Sequence, residues 1–508
     1  MSFEMVTGYC WPQSAVAGEQ VSVHVSSPGE RPVAIEVARV GADRTVVFSQ
    51  TNVGAGDHAV PEDASSAGCG WPSAMTIDVD PAWTSGYYEV LLTIDVDGKT
   101  RQSHAFFVVR PTVGSPQQAK ILLALATNTW HAYNDFGGRN LYNGGTSVSL
   151  QRPMSPGYLY KPDGAGRRVT VVNAPDRQMA AHVGYVSLNK LSPWAGSAGW
   201  PDWEWPFLAW AERHGYAIDV VTNADLEEHP ELLAERPDGY RLFLSVGHDE
   251  YWSAPMRDSV EDFIGRGGNA AFFSGNTAFW QVRMEEPSTE GPAATMVGYK
   301  AQFKKDPVYD TDDMPVLTSI WSDHLIGRPE NHMTGVSFSR GGYHRIGKVV
   351  ANGAGAYTVH RADHWIFEGT NLTYGDLLGA DSTLVGYECD GCDFNTIDGL
   401  PYPTGSDGTP LNFEILGTAP AAHFQRHTAP RPPAAHEPSE LEFIAARVFG
   451  TRDDTDRLAH GHAVLGTYTS SLGGTVITSG STDWAHGLGG RDPQVEQITR
   501  NILDHLST

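Results

Sequence analysis

The stretch Ile121-Leu122-Leu123-Ala124-Leu125-Ala126, followed at once by Thr127-Asn128-Thr129-Trp130-His131-Ala132-Tyr133-Asn134, decides the fold class. A continuous apolar run of that length, bounded by polar residues, reads as a strand covered on both faces. The same texture returns in Tyr216–Val221, Tyr240–Val246, Asn269–Phe273 and Thr475–Thr478. Helical patterns alternate with these strands. Pro206–His214 carries Pro in its first turn and Gly215 just past its end. Ser253–Arg266 places Met256, Val260, Phe263 and Ile264 on one face, and Val495–Leu506 repeats Ile498, Ile502 and Leu506. Strand–helix alternation predicts a doubly wound, mostly parallel α/β sheet over residues 112–508. Residues 281–470 resist the same reading and are expected to supply loops and smaller strands around a pocket.

Upstream the period changes to two. Gln20–Val25, Val33–Val37, Tyr87–Ile94 and Phe106–Val109 alternate or run apolar between Gly/Pro turns, which predicts an immunoglobulin-like β-sandwich over residues 1–111. Pro111–Pro116 reads as a linker, and Thr428–Pro438 is a Pro/Ala-rich stretch. With 508 residues, two or more domains are expected.

Composition narrows the partners. The 40% hydrophobic and 19% charged content is that of an ordinary globular chain, and 55 Gly with 32 Pro predict many ordered turns. A formal net charge of -25 repels phosphate backbones, which excludes nucleic acid as a natural partner and disfavours anionic membranes. Neutral or cationic small substrates remain. Met1–Pro12 lacks the basic and apolar regions of a secretory signal, and Ile121–Ala126 is too short to span a bilayer, so a cytoplasmic location is expected. Cys10, Cys69, Cys389 and Cys392 read as reduced thiols; Cys389-Asp-Gly-Cys392 alone is half a zinc motif without its partner.

In an open parallel sheet, ligands bind beyond the carboxyl ends of the strands. Three such ends are rich in polar groups: Thr127–Asn134 with the later Tyr142-Asn143-Gly144-Gly145, then Gly247-His248-Asp249-Glu250-Tyr251-Trp252, then Ser274-Gly275-Asn276. Taken singly, each residue has an ordinary structural use: a tyrosine packs, an acid before a helix favours its dipole, an asparagine fixes a turn. Their convergence on one crevice is the stronger sign.

The strings Thr129-Trp130-His131-Ala132-Tyr133-Asn134, Gly247-His248-Asp249-Glu250-Tyr251, Ser274–Trp280 and Gly386-Tyr387-Glu388 resemble the large subunit of N,N-dimethylformamidase, in that family's order and with similar separations. The resemblance implies a glutamine-amidotransferase-like α/β domain behind a β-rich module. It also implies a mononuclear ferric iron, Fe(III), held by Tyr133, Tyr142 and Glu250, with His248, Asn276 and Glu388 as the polar residues around it. Two phenolates and a carboxylate would neutralise a ferric ion, and hard anionic oxygens favour such a cation over zinc. The implied activity is hydrolysis of a small amide or related C–N bond by an activated water, with Glu388 as general base and His248 and Asn276 as hydrogen-bond donors to the oxyanion. A homo-oligomer is implied as well. Residues 1–111 leave no room for the family's lectin-like module, and Trp130-His131 and Asp249 depart from its pattern. Two alternatives stand beside this reading. One is a metal-free hydrolase using Ser274 or Cys389, weakened by the absence of Gly-x-Ser-x-Gly. The other is a non-catalytic ligand- or carbohydrate-binding protein.

Overall fold

A computed structural model describes residues 5–116, 118–162, 175–234, 239–285, 294–346, 349–350, 353–429, 433–434 and 436–508. The Pro/Ala-rich stretch therefore lies partly outside the described residues. The chain divides into two compact units: residues 1–165, 186–239 and 283–298 form one, and residues 166–185, 240–282 and 299–508 form the other.

The first unit begins with two sheets. One has three antiparallel strands in the order β1 (Thr7–Trp11), β2 (Gln20–Ser26) and β5 (Ser73–Asp78). The other runs β7 (Lys99–Val109), β6 (Gly86–Val96), β3 (Val33–Val40) and β4 (Arg44–Val53), with Ser14–Ala15 added parallel to β7. One core joins them: Val21, Val23 and Val25 from the first sheet meet Ile35, Val37, Val90, Leu92 and Phe107 from the second. The alternation read from the sequence is thus the inward face of each strand. β1, β5 and the almost wholly exposed β4 are the strands of these two sheets that the apolar patterning does not reveal. Within the same unit β8 (Ile121–Leu125) pairs parallel with β9 (Ile218–Thr222), every residue of both being buried. Helix α1 (Thr127–Tyr133) follows β8 at once, and α2 (Glu204–Arg213) precedes β9.

In the second unit β10 (Leu242–His248), β11 (Asn269–Gly275) and β17 (Thr475–Thr478) pair in parallel. Helix α3 (Ala254–Gly265) connects the first two, its N-terminus capped by Ser253. Beyond β17 the sheet turns antiparallel through β16 (Gly461–Thr469), β15 (Glu414–Ala421) and β13 (Tyr357–Val359). The sheet is mixed rather than mostly parallel, because the region that showed no clear period supplies its antiparallel half. β12 (Ser337–Tyr343) pairs antiparallel with β14 (Glu388–Gly391) in a separate two-stranded sheet. Helix α4 (Pro493–Leu506) ends the chain, capped by the Asp492 carboxylate. Among the described residues no helix is long and apolar enough to cross a membrane.

Candidate functional site

β10 delivers His248 and then Glu250, β11 delivers Asn276, and β14 opens on Glu388; all four are at most 3% exposed. The sequence thus placed His248 and Asn276 at strand ends correctly. His248 Nε2 lies 2.8 Å from Glu388 Oε2 and 3.4 Å from Glu250 Oε2. Asn276 Nδ2 donates to the same Glu388 oxygen at 2.7 Å and lies 3.3 Å from His248 Nε2. Glu250 Oε1 accepts from the Trp280 indole at 2.8 Å. Four residues chosen from the sequence form one buried cluster.

The turn that carries Asn276 is strained. Asn276 and Ala278 have φ of 53° and 52°, a region that side-chain-bearing residues seldom occupy. Asp390 holds it: its two oxygens accept the Asn276 N–H at 2.8 Å and the Thr277 N–H at 3.1 Å. Burial pushes the Asp390 carboxyl up to about 7, against the pull of the Thr277 N–H. Burial would also raise Glu388, yet the charge of His248 and hydrogen bonds from His248, Tyr387 and Asn276 bring it below the ordinary glutamate value. Asn276 Oδ1 is buried and has no hydrogen-bond partner among the described residues. That oxygen is an acceptor ready for a donor the protein does not supply.

Lys300 completes the cluster, and no pattern in the sequence points to it. It is 8% exposed, has φ of 54°, donates to the Tyr251 hydroxyl at 2.7 Å and lies 4.8 Å from the Trp280 ring centroid. Burial lowers its ammonium to about 7, while Glu250 and Glu388 oppose the shift. It lies in the stretch without a period, so no pattern marked it. Asp390 went unread as well: it stands two residues from Glu388 on the same face of β14, but no period marks that wholly buried strand in the sequence.

Backbone packing fixes β14. A Cβ on Gly341 would fall 1.8 Å from the Cys389 carbonyl oxygen, one on Gly391 2.1 Å from that of His462, and one on Gly461 2.2 Å from that of Gly341. Three bare glycines let β12, β14 and β16 approach main chain to main chain.

The two tyrosines belong to the first unit. Tyr133 ends α1, buried at 4% exposure, and Tyr142 is 37% exposed; their rings lie 4.3 Å apart, 30° from parallel. Trp194 packs 5.6 Å from the Tyr142 ring. The loop is held by Asn140, Asn134 and Arg152, of which only Asn134 falls within one of the motif strings. Arg152 is 1% exposed and donates to the His131, Asn134 and Ser149 carbonyls at 3.0–3.1 Å. Burial lowers its guanidinium only to about 10.

Among the described residues no group of three or more His, Cys, Asp and Glu side chains is arranged to hold a metal. The adjacent phenols of Tyr133 and Tyr142, and separately the buried Glu250 carboxylate, are hard oxygen donors of the kind that ferric iron takes. In that chemical sense the residues fit.

The rival nucleophiles fare worse. Ser274 Oγ lies 2.9 Å from Ser245 Oγ and 2.8 Å from Thr277 Oγ1, hydroxyl partners rather than an imidazole. Cys389 is fully buried; that burial, then the charges of Asp483, Asp390 and Glu388, push its thiol well above the ordinary value. An activated thiol needs the opposite environment.

A family model described as "N,N-dimethylformamidase beta subunit-like, C-terminal" matches residues 34–498. The N,N-dimethylformamidase beta subunit of Alcaligenes sp is 30% identical over 91 residues, 17% of this chain and 12% of that protein. The one of Paracoccus aminophilus is 31% identical over 91 residues, with the same shares of 17% and 12%. The aligned part thus spans about an eighth of the relatives' length. Among solved structures, a Parabacteroides merdae beta-glucuronidase matches 23% of this chain and 14% of its own, at 19% identity and a TM-score of 0.14. A Clostridium perfringens family 123 glycoside hydrolase matches 25% and 28%, at 9% identity and a TM-score of 0.12. Neither likeness is close enough to bear on the fold or the chemistry.

Proposed function

The chain belongs to the N,N-dimethylformamidase beta subunit-like, C-terminal family, and on that premise we propose that it is an iron-dependent hydrolase of a small amide or related C–N bond. The relatives' names support amide hydrolysis. The observation that carries the reading is the buried Glu388–His248–Asn276 cluster with Glu250 beside it.

The proposed ligands are Tyr133, Tyr142 and Glu250. Ferric iron bound there would polarise a substrate carbonyl and acidify a water. The remaining chemistry is the protein's own. Glu388, held by His248 and Asn276 at one oxygen, accepts the proton of the attacking water and passes it to the departing amine. A carboxylate kept below its ordinary pKa is ionised, and so ready, throughout the neutral range. Asn276 donates its second Nδ2 proton to the oxyanion as charge develops, and His248 turns its Nε2 proton from Glu388 to the oxyanion once that carboxylate has taken up the water's proton, each contributing about 2–4 kcal/mol. Lys300, beside the two glutamates, offsets part of their negative charge in a buried place. The substrate is a small neutral or cationic amide, in keeping with the net charge of -25. We read residues 1–111 as an immunoglobulin-like module and residues 112–508 as a glutamine-amidotransferase-like domain, in a cytoplasmic homo-oligomer.

Elemental analysis of the purified chain, its visible spectrum and a panel of small amides test this together. One ferric ion per chain, a phenolate-to-iron absorption band and its loss in Tyr133→Phe are expected. A colourless, metal-free preparation that hydrolyses the amides would overturn the iron assignment.

A further inference from the structure

Tyr133 ends a helix and Tyr142 stands in a turn, and a single main-chain bond between their neighbours, Leu141 N–H to the Ala132 carbonyl at 3.0 Å, leaves the spacing of the two rings only partly set. One side chain spans the gap. Asn140, fully buried, donates Nδ2 to the Tyr133 carbonyl at 2.8 Å. Its Oδ1 accepts the Tyr142 N–H at 2.8 Å and the Asn143 N–H at 3.1 Å. An asparagine amide offers two donors and two lone pairs, and three of the four are used here on the backbone of one loop. The Asn143 side chain answers by accepting the Asn140 N–H at 2.6 Å.

Arg152 bonds to carbonyls of the same loop. Its guanidinium reaches carbonyls at the end of α1 and at Ser149, so the segment that carries both phenols is tied at each end. A planar fork on a buried stem is well suited to such a clamp, because little freedom is lost for each bond formed.

We propose that Asn140 is the positioning residue that sets the spacing of the Tyr133 and Tyr142 phenols, with Arg152 locking the loop around it. The proposal rests on the reading of those phenols as metal ligands. Two ligands on one loop retain an ion well only if their geometry exists before the ion arrives; otherwise ordering the loop consumes part of the binding energy. Asn140 touches neither the ion nor the substrate. It acts through the main chain of the two residues that would.

The test uses the full-length protein loaded with ferric iron. Iron retention against a hexadentate chelator is measured together with the visible band and the far-UV circular dichroism. Asn140→Ala is expected to weaken retention by about 10–100-fold, as loss of a group supporting a ligand typically does, and to shift the band, with the dichroism unchanged. Asn140→Asp keeps both acceptor bonds but sets a carboxylate oxygen against the Tyr133 carbonyl in place of the donor, so it too should weaken retention and shift the band. Wild-type retention and an unshifted band in Asn140→Ala, or in Asn140→Asp should the first variant not fold, would overturn the proposal. A wild type that takes up no iron sinks the metal reading instead, an outcome that no Asn140 variant can mimic.

Discussion

The tyrosine loop and the carboxylate strand ends hold their side chains by opposite means. In the loop, Asn140 and Arg152 spend their hydrogen bonds on main-chain carbonyls and N–H groups. An amide does not titrate, and a guanidinium lowered only to about 10 keeps its proton at neutral pH. At the strand ends, Glu388, His248, Glu250 and Lys300 set one another's charge in a buried place. The first arrangement rests on groups that keep their charge state at neutral pH; the second rests on groups that carry charge and act on one another.

That contrast can be broken by substitution. The largest effect is expected for Glu388→Gln, which keeps the shape and removes the base: kcat/KM against the best amide should fall about 10²–10⁴-fold, with iron content unchanged. A small loss would move the proton to another group. Next comes Arg152→Met, which strands several buried carbonyls. Urea denaturation should show about 3 kcal/mol or more of lost stability, and the loss should hardly vary between pH 6 and 8. Marked pH dependence there would contradict the geometric reading of the loop. Trp280→Phe deletes the indole N–H that Glu250 accepts, for about 1.5–3 kcal/mol, and should loosen iron more than it lowers the melting temperature.

The smallest expected effect is a slope. Asp390 has a folded pKa raised to about 7 from an ordinary 3.8, so between those values the folded state binds more protons than the unfolded state. Its contribution to stability is complete below about pH 4 and is lost as pH rises through 7. Asp390→Asn removes that linkage. The stability of wild type minus that of the variant should therefore decline from pH 4 to 7 in thermal melts, and a flat difference would count against the shift.

Legibility followed burial and period. β8 and the parallel strands β10, β11 and β17 are continuous apolar runs, and their polar ends announced His248, Glu250 and Asn276. The strand β4 escaped because its exposed residues carry no apolar alternation. The antiparallel half of the second sheet escaped because short strands separated by long Gly-rich turns lack a period to read. Glu388 was found through motif resemblance rather than pattern. Lys300 and Arg152 were invisible for a different reason: each is a long cation whose burial arises from tertiary packing, and composition marks such residues as surface. Asn140 looked like any loop asparagine until its three bonds were seen.

The glycine seam beneath β14 also marks where this scaffold can be redesigned. Any side chain at Gly341, Gly391 or Gly461 must displace a neighbouring backbone, and Glu388 opens the strand that would move. A library built to accept new substrates should leave these three positions constant and randomise Trp194, whose ring borders the tyrosine pair without holding up a strand. Selection acting on this fold would be channelled the same way, free to vary at the aromatic wall and tightly confined at the seam.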